Sequence, residues 1–103
     1  MMILTFYVPE DNLEEVKNAL FKAGAGKLGN YDCCSFETRG IGQFRALEGA
    51  SPTLGKIGEI EKIQEVRVEM VFDDIILDDV IKTLKEYHPY ETVAFNVLKS
   101  IVN

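Results

Sequence analysis

The chain has 103 residues, 47% of them hydrophobic and 27% charged, with 17 acidic against 11 basic side chains and a net charge of −6. That is the composition and length of one ordinary globular domain, expected to span residues 1–103. The acidic balance without a basic run argues against nucleic acid and against an anionic membrane surface as partners.

Residues 2–8, MILTFYV, are β-branched and aromatic and run into Pro9, which predicts a first strand. Asp11 and Glu14 form a D-x-x-E start, in which Asp11 would cap a helix and Glu14 would reach back. Leu13, Val16, Leu20 and Ala23 recur at helical spacing behind it, and Gly24 and Gly26 supply its end. All eight glycines lie between Gly24 and Gly58, interspersed with Leu28, Tyr31, Phe36, Ile41, Phe44, Leu47 and Leu54. A stretch with that much apolar surface reads as a shaped loop. Within it Asn30 to Thr38 reads as strand, a turn is expected at Gly40 and Gly42, and Gln43–Ala46 reads as the return strand of a hairpin.

Residues 60–73 alternate clearly, with Val66, Val68, Met70 and Phe72 on one face and Arg67 and Glu69 on the other. A second helix is expected over 76–87, with a stripe of Leu77, Val80, Ile81, Leu84 and Tyr87, and with Asp78 and Asp79 at its positive end. Pro89 stops it, and Thr92 to Leu98 reads as a last strand. The order β-α-β-(β)-β-α-β predicts an α+β, ferredoxin-like (βαββαβ) fold: two helices on one face of an antiparallel sheet, with a long Gly-rich loop. Strands partly apolar on both sides imply self-association through the open face.

Cys33 and Cys34 are neighbours, would point to opposite faces of a strand, and are expected as free thiols. The N-terminus has too short an apolar run and no basic residue for a signal peptide, so the expected compartment is the cytoplasm.

Two stretches carry a resemblance. One is Gly29-Asn30-Tyr31-x-x-Cys34-Ser35-Phe36, then Gly40-x-Gly42-x-Phe44-Arg45, then Gly49-x-x-Pro52-x-x-Gly55-x-x-Gly58-x-x-Glu61. The other is His88-Pro89-Tyr90-Glu91. Together they resemble the YqfO-type module inserted in many Nif-three-like (NGG-one-interacting factor) proteins, here read as standing alone. The tetrapeptide is shared with the CutA divalent-cation-tolerance proteins, which resemble it in fold. The resemblance implies a CutA- or PII-like domain assembled as a homo-oligomer, typically a trimer. It does not carry over a metallohydrolase role, because the metal-binding residues of the larger proteins lie in flanking halves outside this match. The chain departs from the pattern at Ala46, where such modules usually have proline, and it lacks the Tyr- and Trp-bearing tail of CutA chains.

His88 is the only histidine and Glu91 follows three residues on, a plausible pair of ligands for a divalent metal. The alternative is a latch, in which both side chains hold the helix-to-strand turn through backbone groups. The candidate ligand-binding residues are Gly40, Gly42, Arg45, Gly49 and Tyr31. They would cradle a small anion through loop N–H groups, or pack on a neighbouring subunit instead. Cys34 reads as a small buried hydrophobe rather than a nucleophile. Topology should bring His88 and Glu91 to face Gly40–Gly58. The functional expectation is a non-enzymatic oligomeric module that binds a divalent metal or small anionic ligand. The alternative is a structural domain equivalent to the cap of a larger enzyme. A small metal-dependent enzyme stands last, for want of a complete catalytic set.

Overall fold

The computed structural model describes residues 1–101. Four strands form one antiparallel sheet: β1 (Met2–Pro9), β2 (Phe36–Arg45), β3 (Ile60–Phe72) and β4 (Phe95–Lys99), in the order β2-β3-β1-β4. Helix α1 (Leu13–Lys22) links β1 to β2, and α2 (Leu77–Tyr87) links β3 to β4. Each helix therefore joins two parallel strands that have a third strand between them, which makes the expected βαββαβ fold two interlocked split β-α-β units. Leu4, Phe6 and Val8 of β1 and Val66, Val68, Met70 and Phe72 of β3 pack on Leu13, Val16 and Leu20 of α1 and Val80 and Leu84 of α2. One face of the sheet thus holds both helices. The opposite face carries Ile3, Thr5 and Tyr7 of β1 beside their register partners Val71, Glu69 and Arg67 of β3.

Several local expectations need correction. Asp11 does not cap α1: after Pro9 the chain enters a 3-10 turn, Glu10–Asn12, and α1 starts at Leu13 behind Asn12 with no side-chain cap. A cap needs a non-helical backbone, and Asp11 already sits inside a helical turn. A second 3-10 turn, Asp74–Ile76, precedes α2, and there Asp73 does accept from the Ile75 amide at 3.1 Å.

Asn30–Ser35 is not strand. Gly26 donates to the Val71 carbonyl at 2.7 Å and accepts from the Cys34 amide at 2.9 Å, closing a small loop whose inner turn pairs Leu28 with Tyr31. Gly26 has φ +82, and a Cβ there would sit 2.8 Å from the Phe21 ring, so only glycine fits. Nor does the chain turn at Gly40 and Gly42. Both lie inside β2, opposite Glu65 and Ile63; Gln43 to Arg45 of the expected return strand is simply the end of β2, and Ala46 already lies in the loop. The long Gly-rich loop is consequently two loops, 23–35 and 46–59, with β2 between them. The last strand begins at Phe95 rather than Thr92, after an irregular turn over 88–94.

Cys33 is exposed with φ +54, and Cys34 is half-buried, so neither is the buried hydrophobe expected for Cys34. Both are free thiols. We expect thiol titration of the native protein to label Cys33 at once and Cys34 more slowly. Protection of both until denaturation would contradict this arrangement.

Candidate functional site

The turn after α2 is built on His88. Its side chain is only 6% exposed. Nε2 lies 2.7 Å from the Tyr7 carbonyl and Nδ1 lies 3.1 Å from the Tyr90 amide, so the ring spans from β1 to the turn. Tyr90 N–H can only donate and the Tyr7 carbonyl can only accept, which assigns the neutral tautomer with the proton on Nε2. Burial pushes the imidazole pKa down, partly opposed by the bond to Tyr7, in keeping with a neutral ring.

The loop 46–59 is drawn onto this turn. Its ends are tied by the Gly58 amide donating to the Ala46 carbonyl at 2.8 Å. At its crest the Ser51 amide donates to the Glu91 carboxylate at 2.9 Å, and the Thr53 hydroxyl donates to the Pro89 carbonyl at 3.0 Å. Two stretches some forty residues apart in the chain therefore enclose one space. It is a cleft of about 880 Å³, floored by β2 and β3 and walled by residues 46–54 and 90–94.

Phe44 and Tyr90 stand in it with ring centroids 6.3 Å apart. The Glu65 carboxyl lies across Gly42: a Cβ at Gly42 would come 1.7 Å from Glu65 Oε1, which explains the glycine as a close approach and not a turn. Burial pushes the Glu65 carboxyl above the usual range, opposed by the Tyr90 hydroxyl beside it. Burial and then the Glu65 charge push the Tyr90 phenol up to about 12. That hydroxyl is buried and makes no hydrogen bond of good geometry.

Of the residues singled out from sequence, Gly40, Gly42, Arg45 and Glu91 line the cleft. Gly49 lies in the same loop but does not line it, and Tyr31 is 76% exposed on the separate 23–35 loop. His88 supports the cleft from behind. Both its nitrogens are engaged, so a metal there would have to replace one of those bonds. Among the described residues no three His, Cys, Asp or Glu side chains gather as a metal site. Sequence reasoning passed over Glu65, Arg67, Phe44 and Tyr90 as site residues. Phe44 and Tyr90 carried a signal, through their places in the two motifs.

No family model matches the chain. It is 45% identical over 94 residues to a "GTP cyclohydrolase 1 type 2 homolog" of Bacillus subtilis, covering 91% of this chain and 25% of that protein. The crystal structure of a Bacillus cereus protein related to NIF3 superposes with TM-score 0.80 at 38% identity, over 93% of this chain and 24% of that one. The chain matches a YqfO-like module of NIF3-family proteins. It spans about a quarter of the length of these relatives. CutA1 of Pyrococcus horikoshii superposes over 100% of this chain and 87% of that one with TM-score 0.73 at 20% identity, which shows a shared fold. Among the described residues, no helix is long and apolar enough to cross a membrane.

Proposed function

We propose that this chain acts as a single-domain, non-enzymatic, oligomeric binding module of the cytoplasm, whose ligand site is the cleft between the β2–β3 floor and the turn after α2. The observation that carries this reading is the double tie of Ser51 to Glu91 and Thr53 to the Pro89 carbonyl, which makes one concave space from two motifs. Its size falls within the range of small-molecule sites, and it holds a few polar groups on apolar walls. A small ligand with an anionic group is favoured over a divalent metal, because Arg45 and Arg67 face the cleft while His88 is already doubly bonded.

Self-association is supported by the apolar groups left uncovered: Phe36, Ile41, Ile60 and Leu98 are each at least 59% exposed on a sheet that carries helices on one face only. A trimer is the preferred assembly, following the CutA-like fold. No activity is carried over from the relatives' name, since the match spans a quarter of their length. A second reading, a structural cap without a ligand, is favoured by the latch geometry of His88 alone.

Light scattering and a thermal-shift screen test the two halves of the proposal. The expected mass is about three times the 11.6 kDa chain, and a small anion should raise the melting temperature, because a ligand that prefers the folded state stabilises it. A mass of one chain contradicts the assembly, and a screen without any stabilising ligand leaves the structural cap.

A further inference from the structure

The polar groups on the cleft floor are unevenly satisfied. Glu65 is half-buried, and none of the ion pairs among the described residues includes it. Beside it the Tyr90 hydroxyl is buried without a partner. A carboxylate only accepts and the one hydroxyl beside it supplies a single donor, so this corner has room for a further donor, best a charged one. Two residues along β3 on the same face stands Arg67, about 7 Å away by strand geometry. Its guanidinium meets Glu69 only through Nε, at 3.6 Å, which leaves its other N–H groups for an anion.

Around this acid–base pair the walls are apolar. Phe44 lies on one side, and Leu47 and Leu54, 65% and 41% exposed, lie on the loop. A metal ion would leave those walls uncovered, and inorganic phosphate would leave Glu65 facing another anion.

Resting on the reading of this cleft as a ligand site, we propose that its ligand is an α-amino acid with an apolar or aromatic side chain. The ammonium sits on Glu65 and the Tyr90 hydroxyl, the carboxylate on Arg67, and the side chain against Phe44, Leu47 and Leu54. Gly42 then has a definite role: it leaves room for the carboxylate that reads the ammonium.

Calorimetric titration of the full chain tests this with three probes: L-phenylalanine, phenethylamine, which lacks the carboxylate, and 3-phenylpropionate, which lacks the amine. L-phenylalanine should bind at least about tenfold tighter than either half-probe, as expected when one charge-assisted contact is removed. Glu65→Gln should weaken L-phenylalanine by about tenfold or more and leave 3-phenylpropionate as it was. Arg67→Gln should do the reverse with phenethylamine. Gly42→Ala, which displaces the carboxylate from the other strand, should match Glu65→Gln, and melting curves of each variant confirm folding. Equal binding of L-phenylalanine and 3-phenylpropionate, or indifference to Glu65→Gln, overturns the amino-acid assignment while the cleft stands as an anion site. Binding of phosphate or zinc but none of the three probes also overturns the amino-acid assignment. Loss of the oligomer in Glu65→Gln means that a second copy of the chain fills the corner, and it overturns the proposal too. Absence of binding by every probe, phosphate and zinc included, removes the ligand-site reading along with it.

Discussion

Phe6→Ala is expected to lower the unfolding free energy by about 3–5 kcal/mol, a large part of the 5–15 kcal/mol typical of a domain. Phe6 is completely buried on a central strand, with Val68 and Phe95 as its register partners on either side. Removing its ring loses the transfer energy of a large apolar group and leaves a void that two flanking strands and the helices cannot collapse into. The effect reaches the cleft as well, because the next residue, Tyr7, lends its carbonyl to His88. Urea unfolding followed by circular dichroism measures the loss. Ile75→Ala, at a position 86% exposed, should by contrast stay within about 0.5 kcal/mol. Similar losses for both variants would mean that the core is not where the burial places it.

His88→Ala should cost about 1–3 kcal/mol, because it leaves the Tyr7 carbonyl and the Tyr90 amide without their partner in a part-buried place. The same bonds predict a pH dependence. Burial lowers the folded-state pKa of His88 below the ordinary value of 6.5, so the unfolded chain binds the extra proton first. The contribution of His88 is therefore whole above pH 6.5 and is lost as pH falls through its lower folded value.

Glu65 acts with opposite sign: burial raises its pKa above 4.5, so its contribution is present below 4.5 and lost as pH rises through the folded value. Subtracting the stability curve of His88→Ala from that of the wild type cancels Glu65 and isolates the imidazole. A difference that falls below pH 6.5 is the expected result, and a difference flat from pH 7 to 5 would contradict a buried neutral ring. Titration of both proteins with zinc, copper and manganese should show no binding that depends on His88.

The parts of this fold legible in sequence are those with a one-dimensional period. The alternation of Val66, Val68, Met70 and Phe72 marked β3 and its buried face, and the stripe Val80–Leu84 marked α2. Topology then placed the His88–Glu91 turn near the glycine-rich stretch, and the bond from Ser51 to Glu91 joins them. Gly40 and Gly42 were misread because glycine gives the same local signal for a turn and for a close approach. What decides between them is the Glu65 side chain on the neighbouring strand. Glu65 is silent for the same reason, since its meaning lies in a cross-strand neighbour and in burial. Tyr31 sat in the same motif as Phe36, yet the Leu28–Tyr31 turn sends it out to solvent on another loop.

That two distant motifs form one built cleft is tested most directly at the Ser51 amide, which the Glu91 carboxylate accepts from. Hydrogen exchange of that amide reports the tie itself, because exchange requires the bond to open. In the wild type Ser51 should exchange at least about tenfold slower than in Glu91→Ala, a difference of about 1.4 kcal/mol, while the β1 and β3 amides stay unchanged. If Ser51 exchanges as fast in the wild type as in Glu91→Ala, the loop is not held on the turn and the cleft is not a formed site.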